Sequence, residues 1–137
     1  GDLREPSLAR IMGLPPSNGL IETLQGREHW QDQIQQDQQT SLDHLLTATA
    51  QPAANQLLDS MQLQNLIAEA RDEYNLVVMN SQPIGNATQT MVLANIIDTV
   101  VLVVGSKRAK RIAVRDAIRT LSAASRRPVV MVLNMAA

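Results

Sequence analysis

Cysteine and phenylalanine are both missing from the 137 residues, and Trp30 and Tyr74 are the only aromatics. Without thiols there are neither disulfides nor thiolate metal sites, and nothing points to an oxidising compartment. Two aromatics are too few for a surface that stacks the bases of single-stranded nucleic acid, and they leave the core to aliphatic side chains. The formal net charge of −1 supplies no general attraction to nucleic acid or to an anionic membrane. No apolar run approaches the roughly 20 residues of a membrane span, and no signal peptide opens the chain. His29 and His44 lack a carboxylate or second histidine at ligand spacing, which argues against a metal site. Ser81 has no nearby histidine and no nucleophile-elbow glycines, which argues against hydrolase chemistry. Asp59, Asp72 and Asp98 read as helix-end or surface acids rather than an acid/base pair. The expectation is one soluble, intracellular α/β domain with a core of ordinary size.

What is present is an alternation of helical stripes and continuous apolar runs. Leu76–Met79 is apolar without alternation, the pattern of an inner strand of a parallel sheet buried on both faces. Ligands in open α/β sheets sit outside the carboxyl ends of such strands, which places Asn80, Ser81 and Gln82 where chemistry would occur. Thr99–Val104 and Val129–Leu133 are two further buried strands, the last ending at Asn134. Helices are expected over Ser7–Leu14, Leu20–Leu24 (stopped by Gly26), Asn55–Ser60 and Ala87–Ile97. Leu63, Leu66, Ile67, Ala70 and Tyr74 form an amphipathic stripe leading into the first strand, with Tyr74 expected in the core. The Gln-rich stretch Arg27–Thr40 is expected as a solvated surface helix docked by Trp30 and Ile34, and Leu42–Ala48 as a short strand. Lys107–Ser125 is the best helical pattern, with Val114, Ala117, Ile118, Leu121 and Ala124 inward. On it Lys107, Arg111, Arg115 and Arg119 recur every four residues. Like charges at that spacing repel by about 0.2–0.5 kcal/mol per pair, so the stripe is either a solvated face or a contact surface for an acidic partner or neighbouring protomer.

In chain order, Asp2-Leu3-Arg4-Glu5-Pro6-Ser7-Leu8, Gly13-Leu14-Pro15, Gly19–Leu24, Tyr74–Pro83, Asp98–Val104 and Val132-Leu133-Asn134 together resemble one family. It is the cytoplasmic ATPase domain of bacterial polysaccharide co-polymerases, the tyrosine autokinases of capsule and exopolysaccharide export, related to the MinD/ParA ATPases. The resemblance implies a P-loop NTPase-like fold over residues 1–137, a mostly parallel sheet flanked by helices but lacking the P-loop strand. Carried over by position, Asp2 stands near Mg²⁺, Arg4 is the arginine of the same motif, Asn80 replaces the Walker B aspartate, and Gln89 (behind Thr88) replaces a further family aspartate. Asn134 matches an asparagine that contacts adenine.

The departures from the family pattern bear on activity. No Gly-x-x-x-x-Gly-Lys-Ser/Thr occurs, so the backbone cradle and lysine for the β- and γ-phosphates are absent from these residues. Phosphoryl transfer is mostly positioning and charge neutralisation, so losing the cradle removes the main source of rate. Asn80 offers a carbonyl oxygen but no charge to a hard cation, Gln89 fails in the same way, and the family's C-terminal tyrosine cluster is missing. The expectation is therefore an assembly or regulatory module of polysaccharide export, with no cofactor of its own and with ATP and Mg²⁺ only if a P-loop is supplied. The alternatives are an active autokinase whose P-loop lies outside these residues, and a MinD/ParA-like positioning protein. Expected partners are copies of itself or a membrane co-polymerase subunit, at a cytoplasmic location, with neither nucleic acid nor direct membrane insertion. Absence of the P-loop strand implies a hydrophobic slot that another chain fills, or a rearranged fold.

Overall fold

The computed structural model describes residues 2–84, 88–107, 109–125 and 127–135, with the side chains of 88–90 outside that description. Its contacts divide the chain into two compact units, residues 1–82 and 83–137.

The first unit is mainly helical: α1 (Leu8–Met12), α2 (Gly19–Leu24), a 3₁₀ turn (Trp30–Gln33), the two-residue strands β1 (Gln35–Gln36) and β2 (Asp43–His44), α3 (Ala54–Leu58) and α4 (Met61–Glu73). The helix α4 forms because Ser60 caps it, its hydroxyl accepting the Leu63 N–H at 3.3 Å, and because Leu63, Leu66, Ile67 and Ala70 share the buried face. Gly26 ends α2 as expected: at φ 68° its N–H donates to the Thr23 carbonyl and the next N–H, of Arg27, donates to that of Glu22. Leu3, Leu46, Leu58 and Leu63 are fully buried, an aliphatic core without phenylalanine.

The stretch expected as a Gln-rich helix is instead the 3₁₀ turn followed by extended chain, with His29 and Ile34 both extended on its flanks. One side chain decides this. Trp30 is buried, donates its indole N–H to Glu69 Oε2 at 2.7 Å, and lies 6.1 Å from the Tyr74 ring, a tilted aromatic pair. Beyond it, the Asp37 carboxylate accepts the Gln39 N–H and the Thr40 hydroxyl, turning β1 back onto β2 in an antiparallel pair. Those hydrogen bonds, the Thr40 hydroxyl's above all, hold the Asp37 carboxyl below its usual range. The strand expected over Leu42–Ala48 thus shortens to Asp43–His44.

The second unit is α5 (Thr88–Ala94), β3 (Val100–Gly105), α6 (Arg111–Ala124) and β4 (Val129–Asn134). The two strands pair in parallel, Val100 opposite Val129 through to Gly105 opposite Asn134, joined through α6 as a β–α–β crossover. Ala94, Val100 and Leu121 form its core, with Ile84, Ile97, Leu102 and Val129 packed around them. Ser125, itself buried, donates its hydroxyl to the Ala94 carbonyl at 2.7 Å and accepts the Arg127 N–H at 3.1 Å, tying the end of α5 to the turn into β4.

Two expectations about burial are overturned. Leu76–Met79 pairs with no strand among the described residues, and Leu76, Val77 and Val78 are 77%, 42% and 81% exposed rather than an inner strand. The strands β3 and β4 form where expected, yet Val101, Val103, Val130, Val132 and Leu133 are exposed. An apolar run specifies extended chain locally, but its burial needs covering elements that the run itself does not encode. No helix among the described residues is long and apolar enough to cross a membrane.

Candidate functional site

Asp2 is brought onto the tip that follows Leu76–Met79. Its Oδ1 accepts the backbone N–H of Arg4 at 3.1 Å, that of Glu5 at 3.0 Å, and an Nε2–H of Gln82 at 3.0 Å. The first two bonds turn the chain at residues 2–5, and Leu3 is anchored between them: fully buried, with its carbonyl accepting the Gln51 N–H at 2.7 Å. Gln82 is buried and reaches across 80 positions of sequence. Sequence reasoning named both ends of this contact without foreseeing that they touch. Asn80, two residues before Gln82, is exposed, as is Arg4, and the Ser81 hydroxyl bonds locally, donating to the Gln82 carbonyl at 3.4 Å.

Among the described residues, this site offers one carboxylate, Asp2, toward a magnesium–nucleotide centre. A hard divalent cation favours carboxylate oxygens around it, and Oδ1 of Asp2 already serves three N–H donors. Asn80 adds only a neutral amide, and no group of three His, Cys, Asp or Glu converges anywhere among the described residues. Gln89 belongs to α5, but its side chain lies outside the described residues. Asn134 closes β4 in the second unit, opposite Gly105, and its backbone carbonyl accepts the Ser106 N–H at 2.9 Å.

The basic stripe needs one correction. Lys107 sits in a turn after β3, and α6 starts only at Arg111, because Lys110 is extended at ψ 139° and the Ala109 N–H is held by the Gly105 carbonyl at 3.0 Å. The helical stripe is therefore Arg111, Arg115 and Arg119, all exposed, rimming an open groove of about 590 Å³ with Val104, Val114, Ile118, Met131 and Leu133 in its walls. Tyr74 is not a core residue on the α4 stripe but its C-cap, half-buried, with its hydroxyl donating to Asp43 Oδ2 at 2.6 Å. That bond chiefly, with burial and the negative charges of Asp43 and Glu73 adding, pushes its pKa up to about 12.

The parallel β–α–β unit with flanking helices defines a P-loop NTPase-like α/β fold. No protein-family model matches the chain. It superposes on the kinase domain of VpsO with a TM-score of 0.90 at 27% identity, covering 99% of this chain and 68% of that one. On the kinase domain of the Escherichia coli tyrosine kinase ETK the TM-score is 0.88 at 23% identity, covering 97% and 52%. The succinoglycan biosynthesis transport protein ExoP of Rhizobium meliloti (strain 1021) is 32% identical over 118 residues, 84% of this chain and 15% of ExoP. The tyrosine-protein kinase YwqD of Bacillus subtilis (strain 168) is 27% identical over 110 residues, 80% of this chain and 46% of YwqD. The chain is thus a homologue of the bacterial tyrosine kinases of capsule and exopolysaccharide biosynthesis, and its fold is that of their kinase domains. It spans less than half the length of each of these two curated relatives.

Proposed function

We propose that this chain works in exopolysaccharide or capsule biosynthesis as an assembly or regulatory module of a co-polymerase, and that its own residues do not transfer phosphate. One observation carries the reading: Asn80 puts a neutral amide two residues before Gln82, which shares Oδ1 of Asp2 with the backbone of Arg4 and Glu5. Asp2 and Gln82 act together as a structural clamp that holds the segment at residues 80–82 to the first residues. The kinase relatives make ATP and Mg²⁺ the ligands to test, with Asn134 as the adenine contact if nucleotide binds at all. The module sits at the cytoplasmic face, held to the membrane through a partner.

Calorimetric titration with ATP, with and without Mg²⁺, followed by ATP turnover, tests this on residues 1–137 and on a longer form extended at the amino end. The expected result is no Mg²⁺-dependent binding by the chain itself. In the longer form, Asn80→Asp should raise Mg²⁺ dependence. Micromolar, Mg²⁺-dependent ATP binding by residues 1–137 would overturn the reading, and turnover by the unmodified longer form would replace it with an active autokinase.

A further inference from the structure

The first unit holds an open cleft of about 290 Å³ that shares no residue with the Asp2–Gln82 contact. Gln62, Asn65, Leu66 and Glu69 recur at i, i+3, i+4 and i+7 along α4 and form one wall. The other wall is the end of α2 and the turn after it, where the left-handed Gly26 redirects the chain toward Trp30. Two hydrogen bonds hold this turn to α4: the Trp30 indole N–H to Glu69 Oε2 at 2.7 Å, and Gln31 Nε2 to Glu73 Oε1 at 3.1 Å. The cleft is therefore preformed, and little ordering cost attends its occupation.

Its buried lining is Trp30 and Leu66, both apolar, and Thr23. Thr23 is 9% exposed, and its Oγ1 is buried without a hydrogen-bond partner. Folded proteins satisfy the great majority of buried polar side-chain atoms, so an unmet hydroxyl on a cleft wall marks a place for an outside partner. A ligand hydroxyl can reproduce whatever bond water makes there.

Charge narrows what fits. Arg27 and Glu28 bring opposite charges to the cleft, and the Glu69 carboxylate is already engaged by the indole. An anion meets two carboxylates for one guanidinium, in a unit (residues 1–82) whose four Lys or Arg stand against eleven Asp or Glu, a formal −7. Residues 83–137 carry the opposite excess, eight against two or +6, and are the better surface for an anion. A cation meets Arg27, and no group of three His, Cys, Asp or Glu gathers to hold a metal ion among the described residues. What remains is a neutral ligand rich in groups that both donate and accept. The Gln62 and Asn65 amides each set an acceptor beside a donor, a pairing that neighbouring hydroxyls satisfy. The volume lies at the low end of ordinary ligand sites and would hold about ten waters, the size of a single pyranose ring with its hydroxyls.

We propose that this cleft binds an uncharged, polyhydroxylated ring of monosaccharide size, with Gln62 and Asn65 bonding vicinal hydroxyls and Thr23 bonding a further one. The apolar face of the ring lies against Trp30 and Leu66. The site stands whether or not the chain transfers phosphate.

Trp30 is the only tryptophan, so its fluorescence reports on the cleft without labelling. The methyl glycosides of glucose, galactose and mannose are titrated separately, with inorganic phosphate and putrescine as the anionic and cationic probes. At least one glycoside should bind saturably with a Kd of about 1–10 mM, as suits a small open site, and saturation-transfer NMR should show the same glycoside in contact. Gln62→Ala and Asn65→Ala fall at exposed helix positions that accept alanine, and each should weaken binding about fivefold or more. Gln64→Ala, on the same helix but outside the cleft, should leave binding unchanged. Thr23→Val is the sharper probe, because it removes the unmet hydroxyl and keeps the shape. Its urea midpoint should hold or rise while binding weakens, whereas a merely structural Thr23 would move the midpoint and leave the affinity alone. Silence of all three glycosides by both methods overturns the proposal. So does tighter binding of phosphate or putrescine, or glycoside binding that survives the double variant Q62A/N65A.

Discussion

Tyr74 is the only tyrosine, so its ionisation can be followed alone by tyrosinate absorbance near 295 nm, without assignment. Its hydroxyl donates to Asp43 Oδ2 at 2.6 Å, and this bond to an ionised acceptor holds the proton, pushing the pKa up to about 12 from an ordinary 10.0. The perturbation is Asp43→Asn, which removes the charge and keeps the shape. The expected midpoint is near 12 in the wild type and returns most of the way to 10 in the variant, with a smaller remainder from burial and Glu73. The sign for stability follows. Because the folded-state pKa is raised, the contribution of this group is complete below about pH 10 and is lost as pH rises toward 12. Its size is set by water rather than by the shift: Tyr74 is half-buried and Asp43 exposed, so the bond contributes about 0.5–1 kcal/mol after screening. Tyr74→Phe should therefore unfold at slightly lower urea at pH 8, with the difference vanishing near pH 12. A wild-type midpoint at or below about 10.3 would refute the bond, and with it the docking of β2 onto the end of α4.

Ser125→Ala should be the costlier change in the second unit, because it strands the carbonyl of Ala94, itself buried, and releases the Arg127 N–H. About 2–3 kcal/mol is expected, seen as faster hydrogen exchange across β3 and β4, against less than about 0.5 kcal/mol for the exposed Ser122→Ala. Equal exchange in the two variants would remove Ser125 from its tying role. Gly19→Ala should cost about 1–3 kcal/mol by overpacking, since a Cβ there would lie 2.7 Å from Gln33 Cβ and 3.1 Å from the Gln33 carbonyl oxygen. A urea midpoint unchanged in Gly19→Ala would show that the 3₁₀ turn is not seated on α2 as described.

Periodicity carried the helices. The stripes on α4 and α6 repeat at 3.6 residues and were legible, as was Gly26, because these signals are local. The Gln-rich stretch was misread for the opposite reason: glutamine tolerates a helix, and what overrode it was one nonlocal anchor, Trp30 on Glu69 and Tyr74, about forty residues away in sequence. The candidate site divides along the same line. Asp2, Asn80 and Gln82 could be named from their places in motifs, but the Asp2–Gln82 bond joins residues that no pattern links, and only the fold shows that the carboxylate is engaged. The strands are the instructive case. The β3 and β4 runs read as buried on both faces, but Val101, Val103, Val130 and Val132 share one face of the pair, and the structure leaves that face exposed. This chain spans 68% of the VpsO kinase domain on which it superposes, so exposure of that face is not by itself a demand for a separate partner. The charge separation between residues 1–82 and 83–137 is equally invisible to a reading that took the net charge as a single number.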